Sequence, residues 1–534
     1  MRLRLRRPER EDRSHDDQRP EDRGTGQDRE TEEQRAALGA RHDAADADRE
    51  QHGDARADPQ VPPERRDDGL PEMHSRVYDT FARGVTSSGL AWERGRRSNA
   101  GTRRRELRNV LAPETRTSVS TPMAAVGARL AVPDLDVELA IAVGTMTHGV
   151  LAHHAQTAKR IERVIAVDPG AAIGHATRAF ALCLQMRMEL ADVIAASLCR
   201  AEVALHERGG SDAEQALTAA ARAYANGRPM EAVAVLDARL SRAPTDVLAL
   251  KLGHALHFLL GDTAGLLRSI DAAISAQPTD FCGYALGCQA FAHVESGDVV
   301  GGERIGRHAV ALRPDDAWGV HAVAHALATR GDTSAGISWL KACAPGLRDV
   351  NNFAGHIAWH EALGLLSLGR DDDALALYDE RIAVHLGGDY RDVVNAATLL
   401  HRMRQRGHDV RDRAARLASH ALARQGDHGS AFGDVHYALA ISDHDAAAGR
   451  EFARSMRAAA LARDTHEAAL ARRVACDLVD AILALRDGAP STHLFDANRG
   501  SWHLLGGSRI QRETFELLRR EAVLREESIA PRDE

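Results

Sequence analysis

From about residue 123 onward, apolar and polar positions alternate with the 3.6-residue period of amphipathic helices. The runs also recur at a fixed distance. Pro244, Pro278 and Pro314 each close an Ala-rich run, in "APTD", "QPTD" and "RPDD". Gly227, Gly261, Gly297, Gly331, Gly369 and Gly407 follow one another at steps of 34, 36, 34, 38 and 38 residues. From glycine to the next proline the distance is 17 residues three times running, 227 to 244, 261 to 278 and 297 to 314. The glycines suit the left-handed cap between two antiparallel helices. The prolines stop the second helix, and the Asp or Thr that follows caps the next.

A period near 34 residues with this punctuation predicts an all-α fold, a tetratricopeptide-like α-solenoid coiling as a right-handed superhelix of antiparallel helix pairs. With the inter-helix glycine counted as position fifteen, small residues fall where helices must approach closely. They are Ala220, Ala290, Ala324 and Ala362 at position eight, Ala232 and Ala374 at twenty, and Ala273 and Ala309 at twenty-seven.

Residues 1–122 lack this pattern. "EDRSHDDQRPEDRGTGQDRE" is a mixed-charge tract with too little apolar surface to offset ordering entropy. The expectation is a disordered charged arm, or else a stretch that is not part of the native chain. The helical repeats would then span 123–534, from Met123 to a C-terminal capping helix. Aromatic residues make up 4% of the 534 residues, which favours close-packed helices over a sheet sandwich. Lysine occurs only at Lys159, Lys251 and Lys341, and a net charge of −8 leaves no basic footprint for nucleic acid. The six cysteines form no CxxC pair, and no window is apolar enough for a membrane span. A cytoplasmic protein is expected, with no nucleic-acid or membrane partner.

Two stretches carry candidate chemistry: "WGVHAVAHALATRGD" and, one repeat later, "GHIAWHEALGLLSLGRDD". Each holds two histidines four residues apart, on one face of a helix. In the register, first helices line the concave wall, with positions 2, 5, 9, 12 and 13 facing the groove. His321 falls at five, His325 at nine, His356 at two and His360 at six. Trp318 and Trp359 share that face, and Glu295 stands at position thirteen of the preceding repeat.

Three readings follow. The cluster is a recognition surface for a peptide, a partner segment or a small metabolite; or a set of neutral histidines hydrogen-bonded within a narrow groove with no ligand; or a metal or acid/base site of an enzyme. The first is the expectation, with no cofactor and less than stoichiometric metal. Any divalent metal would use His321, His325, His356 and His360. "HAVAH" lacks the internal glutamate of the "HExxH" zinc hydrolases. Binding by such a groove is expected to depend on pH between about 5.5 and 7.5, where imidazole titrates. His254, His257 and His293 fall at positions that pack between helices.

"PTDVLALKLGHALHFLLGD", "ALRPDDAWGVHAVAHALATRGDTSAGISWL", "HIAWHEALGLLSLGRDDDALALYDERI", "RDVVNAATLLHRM", "AFGDVHYALA" and "LLGGSRIQRETFELL", in that order, resemble segments of the tetratricopeptide repeat protein 38 family. The resemblance spans roughly 130 to 525 and implies a soluble helical-repeat protein; it implies no particular reaction. It singles out Asp434 and His436, either as a cap on the far end of the groove or as a polar pair on a helix. "IQRETF" departs from it where an Asp is expected after the Arg. The tail "SWHLLGGSRIQRETFELLRREAVLR" reads as two glycines, a Ser508 cap and a terminal amphipathic helix. It has neither the strand nor the loop lysine of a nucleotide site.

Overall fold

The computed structural model describes residues 137–275 and 282–529, all within one compact unit. The charged arm, the start at Met123 and the stop at Pro278 lie outside the described residues. Among the described residues the regular elements are helices, joined by turns and one isolated bridge between His154 and Val350. They are α1 (Val137–Leu151), α2 (Thr157–Val167), α3 (Ala172–Cys183), α4 (Ala191–Arg208), α5 (Asp212–Ala225), α6 (Pro229–Arg242), α7 (Val247–Leu259) and α8 (Thr263–Ser275). Next come α9 (Cys282–Glu295), α10 (Val299–Leu312), α11 (Ala317–Arg330), α12 (Thr333–Cys343), α13 (Phe353–Ser367), α14 (Asp371–Leu377), α15 (Tyr390–Gln405) and α16 (Arg411–Leu422). The chain ends with α17 (Ala431–Ser442), α18 (Ala446–Ala462), α19 (His466–Leu470), α20 (Cys476–Asp487), α21 (Thr492–Ala497) and α22 (Arg509–Ile529).

The glycine ruler holds. Gly227, Gly261, Gly297, Gly331, Gly369 and Gly407 all have positive φ, each in the turn that joins the two helices of a pair. The alanines assigned to positions eight, twenty and twenty-seven are all buried. α10 packs closely on both neighbours because Gly302 and Gly306 carry no side chain. A Cβ on Gly302 would stand 2.7 Å from the Ala290 carbonyl oxygen, and one on Gly306 would stand 2.7 Å from Val323 Cγ2. That approach brings the first helices α9 and α11 side by side. The architecture is an α-solenoid of antiparallel helix pairs.

The coil does not stay open. The backbone N–H of His466 donates to the Gly227 carbonyl at 3.0 Å, and Met188 N–H donates to Asp427 Oδ1 at 3.1 Å. Arg187 donates to the Gly388 carbonyl, and Arg424 pairs with Glu189 across 235 residues of chain. The early pairs around α3–α6 therefore touch the late ones around α16–α19. Two further segments cross the edges of the central first helices. The loop after α1 bonds to 349–351 through Ala155 N–H to Asp349 O and Asn351 N–H to His153 O, each 2.7 Å. At the other edge, residues 503–509 cross the ends of α7, α9 and α11.

Gly506 shows how tightly that second crossing is seated. Its φ of 76° with ψ of −154° is a conformation that essentially only glycine adopts, and an added Cβ would meet the Leu259 carbonyl oxygen at 2.3 Å. Gly506→Ala is expected to cost about 2–3 kcal/mol of stability, read from the urea midpoint. Gly500→Ala, in open space, should leave that midpoint in place. Equal midpoints for the two variants would contradict the seating described.

Candidate metal centre

α11 is built to display a histidine pair. Its Ala-rich run "AWGVHAVAHALATR" is a strong helix former, started by Asp316 and ended by Gly331 at φ 79°. His321 and His325 lie one turn apart on it, and His356 and His360 lie one turn apart on α13. The two pairs meet. His321 Nε2 stands 3.0 Å from His356 Nε2, and His360 Nε2 stands 3.2 Å from the same atom. The His325 ring lies 4.3 Å from that of His321 and 4.5 Å from that of His360, centre to centre. One nitrogen from each of the four rings falls within 4.8 Å of the other three.

The rings are buried rather than displayed on an open concave wall. His325 is 0% exposed and His356, the most accessible, 8%. Phe291 stacks on His321, and Phe353 on both Trp318 and His356. His153, from the loop after α1, stacks on Trp318 and Phe353 and covers that side. The open groove expected from the register is thus replaced by a closed, aromatic-walled centre. The physical reason is the closure of the coil and the two segments that cross its edges.

Two of the rings are held from behind. Glu295, at the C-terminal end of α9, accepts from His325 Nδ1 at 3.2 Å. Asn395, on α15, places Oδ1 2.9 Å from His356 Nδ1, with the amide oriented so that its oxygen faces the ring. Each bond fixes the proton on Nδ1 and leaves Nε2 with a lone pair turned inward. Two nitrogens, His325 Nε2 and His321 Nδ1, are buried without a hydrogen-bond partner.

Burial sets the protonation. It drives His321 and His360 well below the usual imidazole range, assisted by the neighbouring imidazoles, and takes His356 down to about 3 against the opposing hydrogen bond to Asn395. The titration window expected near neutrality therefore moves to lower pH for these three. Burial pushes the Glu295 carboxyl up. The His325 bond and the Arg509 amide more than offset this, leaving it below the usual value.

The remaining candidates separate from this cluster. Trp359 is fully buried, donates to Thr398 Oγ1 at 2.9 Å, and packs against His356 and His360, so it supports the site without facing a groove. Trp318 is the hub of the aromatic wall and donates to His254 Nε2 at 3.0 Å. His254 therefore belongs to that wall instead of being a plain packing residue. His293, expected between helices, keeps 21% of its side chain exposed beside Asp298 and Asp271. His257 is buried and held by Asp237 and Asp262, as its register position predicts.

Asp434 and His436 do not cap a groove. Asp434 accepts from His428, His436 bonds to the Phe432 carbonyl, and both are buried within α17. Residues not singled out by sequence also shape the centre: Phe291, Phe353, Asn395, His153 and Lys251. Lys251 is buried, lies 4.9 Å from the Trp318 ring centre and has the Cys288 thiol 3.8 Å away. It stands at position five, the register position of His321 and Trp359, so the ruler held the signal for it. Phe291 likewise shares position nine with His325.

Fold and site together define a helical-repeat protein with a buried cluster of four histidines. No family model matches the chain. A solved structure of Naa15/Naa10 bound to HypK-THB contains a chain similar over 73% of this one and 68% of its own length, at 14% identity and a TM-score of 0.22. No helix among the described residues is long and apolar enough to cross a membrane, and five of the cysteines are free.

Proposed function

We propose that this chain is a helical-repeat scaffold stapled at its centre by one divalent transition metal, bound by His321, His325, His356 and His360. The observation that carries the reading is the convergence of four buried imidazoles, two of them orientated from behind by Glu295 and Asn395. A metal-bound histidine nearly always gives its second N–H to a carboxylate or carbonyl, as His325 and His356 do. Bonds of about 2.0–2.1 Å in a tetrahedral site put ligand nitrogens about 3.3–3.4 Å apart. The Nε2 separations of 3.0 and 3.2 Å are close to that span.

Four neutral imidazoles suit zinc, copper, nickel or iron, while magnesium and calcium require oxygen donors. Catalytic zinc usually keeps one position open, whereas four protein ligands close the sphere. The reading is therefore a structural staple between α11 and α13, with metal-assisted catalysis disfavoured. It departs from the expectation that no metal is bound. Recognition of a peptide or small metabolite, the expectation for an open groove, would then fall to the outer faces of the coil. Membership of the tetratricopeptide repeat protein 38 family and a cytoplasmic location form part of the same proposal.

The test is elemental analysis after chelation and reloading of the full chain. One zinc per chain is expected, with a stabilisation of about 4 kcal/mol when free metal exceeds Kd a thousandfold. The double variant His321→Ala/His360→Ala is expected to retain none. A wild-type chain that retains no zinc, copper, nickel or iron overturns the reading.

A further inference from the structure

We infer that the C-terminal helix α22 tunes the metal affinity of the histidine centre through Glu295, so that docking of this helix and metal binding are one linked equilibrium. This rests on the metal reading above and adds its control element. Glu295 is a positioning residue with two faces. One carboxylate oxygen accepts from His325 Nδ1 at 3.2 Å, and the other accepts the backbone N–H of Arg509 at 3.1 Å.

Arg509 is the first residue of α22, so its amide is one of the donors that a helix leaves unpaired at its N-terminus. Glu295 itself ends α9, where the helix dipole disfavours an acid. The positive end of α22 supplies the compensation. Ser508 and Gln511 hold that end in place by bonding to each other's backbone amides, and the Arg509 side chain reaches Thr329 Oγ1, on the same helix as His325.

The coupling follows from the bond chain. A metal on His325 Nε2 makes Nδ1–H a stronger donor and so strengthens its hold on Glu295, which in turn favours the seated position of Arg509 N–H. Linkage makes the effect reciprocal: the factor by which the seated helix raises metal affinity equals the factor by which metal favours seating. Loss of an outer partner of a metal ligand typically costs about 10–100-fold in affinity.

The first helical position tolerates proline, because its N–H has no partner within the helix. Arg509→Pro therefore deletes the amide donor, and Arg509→Ala deletes only the side chain. Zinc affinity is measured on the chelator-stripped full chain by competition with a chromophoric chelator, with circular dichroism confirming the fold. Arg509→Pro is expected to bind zinc at least tenfold more weakly than Arg509→Ala. Zinc is expected to slow proteolysis of the 499–529 segment in Arg509→Ala and to lose most of that effect in Arg509→Pro.

Glu295→Gln, which keeps shape but loses the charge, is expected to weaken zinc about 10–100-fold and carries the test if the proline variant does not fold. Equal zinc affinity in Arg509→Pro and Arg509→Ala, or an unchanged Glu295→Gln, overturns the inference while the staple itself stands. A wild-type chain that takes up no zinc overturns both.

Discussion

Acidifying the metal-free protein is expected to unfold it steeply between about pH 6 and 4.5, with an uptake of several protons per chain. Burial lowers imidazoles across the fold, modestly at His154, His175, His385 and His466 and furthest at seven others: His153, His254, His321, His360 and His401 well below their ordinary value, His356 at about 3 and His436 at about 4. In the unfolded chain all seven titrate near about 6.5. A depressed imidazole binds its proton only after unfolding, so its contribution is complete above about pH 6.5 and drains away as pH falls.

Buried carboxyls act in the opposite sense, Asp427 and Asp434 among them, and three are shifted furthest. Burial raises Asp316, Asp392 and Glu467 to about 7, with the Asp389 charge adding to the effect at Asp392. Their contribution is full below about pH 4 and is lost as pH climbs through about 7. The lowered imidazoles outnumber the raised carboxyls, so stability falls with pH through the acid range. Maximum stability is expected near pH 6.5–7. Far-UV circular dichroism against pH reads the midpoint and the proton number; an uptake of one proton or fewer would show that these imidazoles are not buried and neutral.

The second large effect concerns Trp359. Its indole is 0% exposed, lies between the rings of His356 and His360 and Thr398, and fills the space between α13 and α15. Trp359→Ala is expected to destabilise by about 3–5 kcal/mol, the range for truncating a buried aromatic. The surviving Thr398 hydroxyl still donates to the Asn395 carbonyl, which limits the polar part of the loss. Trp359→Phe keeps a ring against His356 and is expected to cost less than half as much. Urea denaturation monitored at constant m separates the two. Similar midpoints for both variants would place the indole outside the load path of the core.

The repeat itself was legible because helical packing imposes a period on composition. Six glycines at positive φ and eight buried alanines were placed by counting alone, and the same count put His321, His325 and His356 on one side of their helices. It also held Lys251 at position five and Phe291 at position nine, whose residue types alone carry no metal-ligand signal. What periodicity does not encode is contact between residues far apart in the chain. Asn395 behind His356, Arg509 behind Glu295 and His153 over Trp318 come from other pairs, a terminal helix and a loop. Their meeting depends on how far the coil turns before its ends touch. That is why an exposed groove was expected where a sealed centre is found. Asp434 and His436 illustrate the same limit, since a pattern of residue types does not say which cavity or helix they serve.

The bond from His466 N–H to Gly227 O, with its neighbours, has a further consequence. A rod of repeats frays from its tips and tolerates the loss or gain of a unit. A hoop has no tips. Removing or duplicating one pair here would leave the latch out of phase. The pairs held inside the latch should melt as a single body, in contrast to the piecemeal melting of linear repeats.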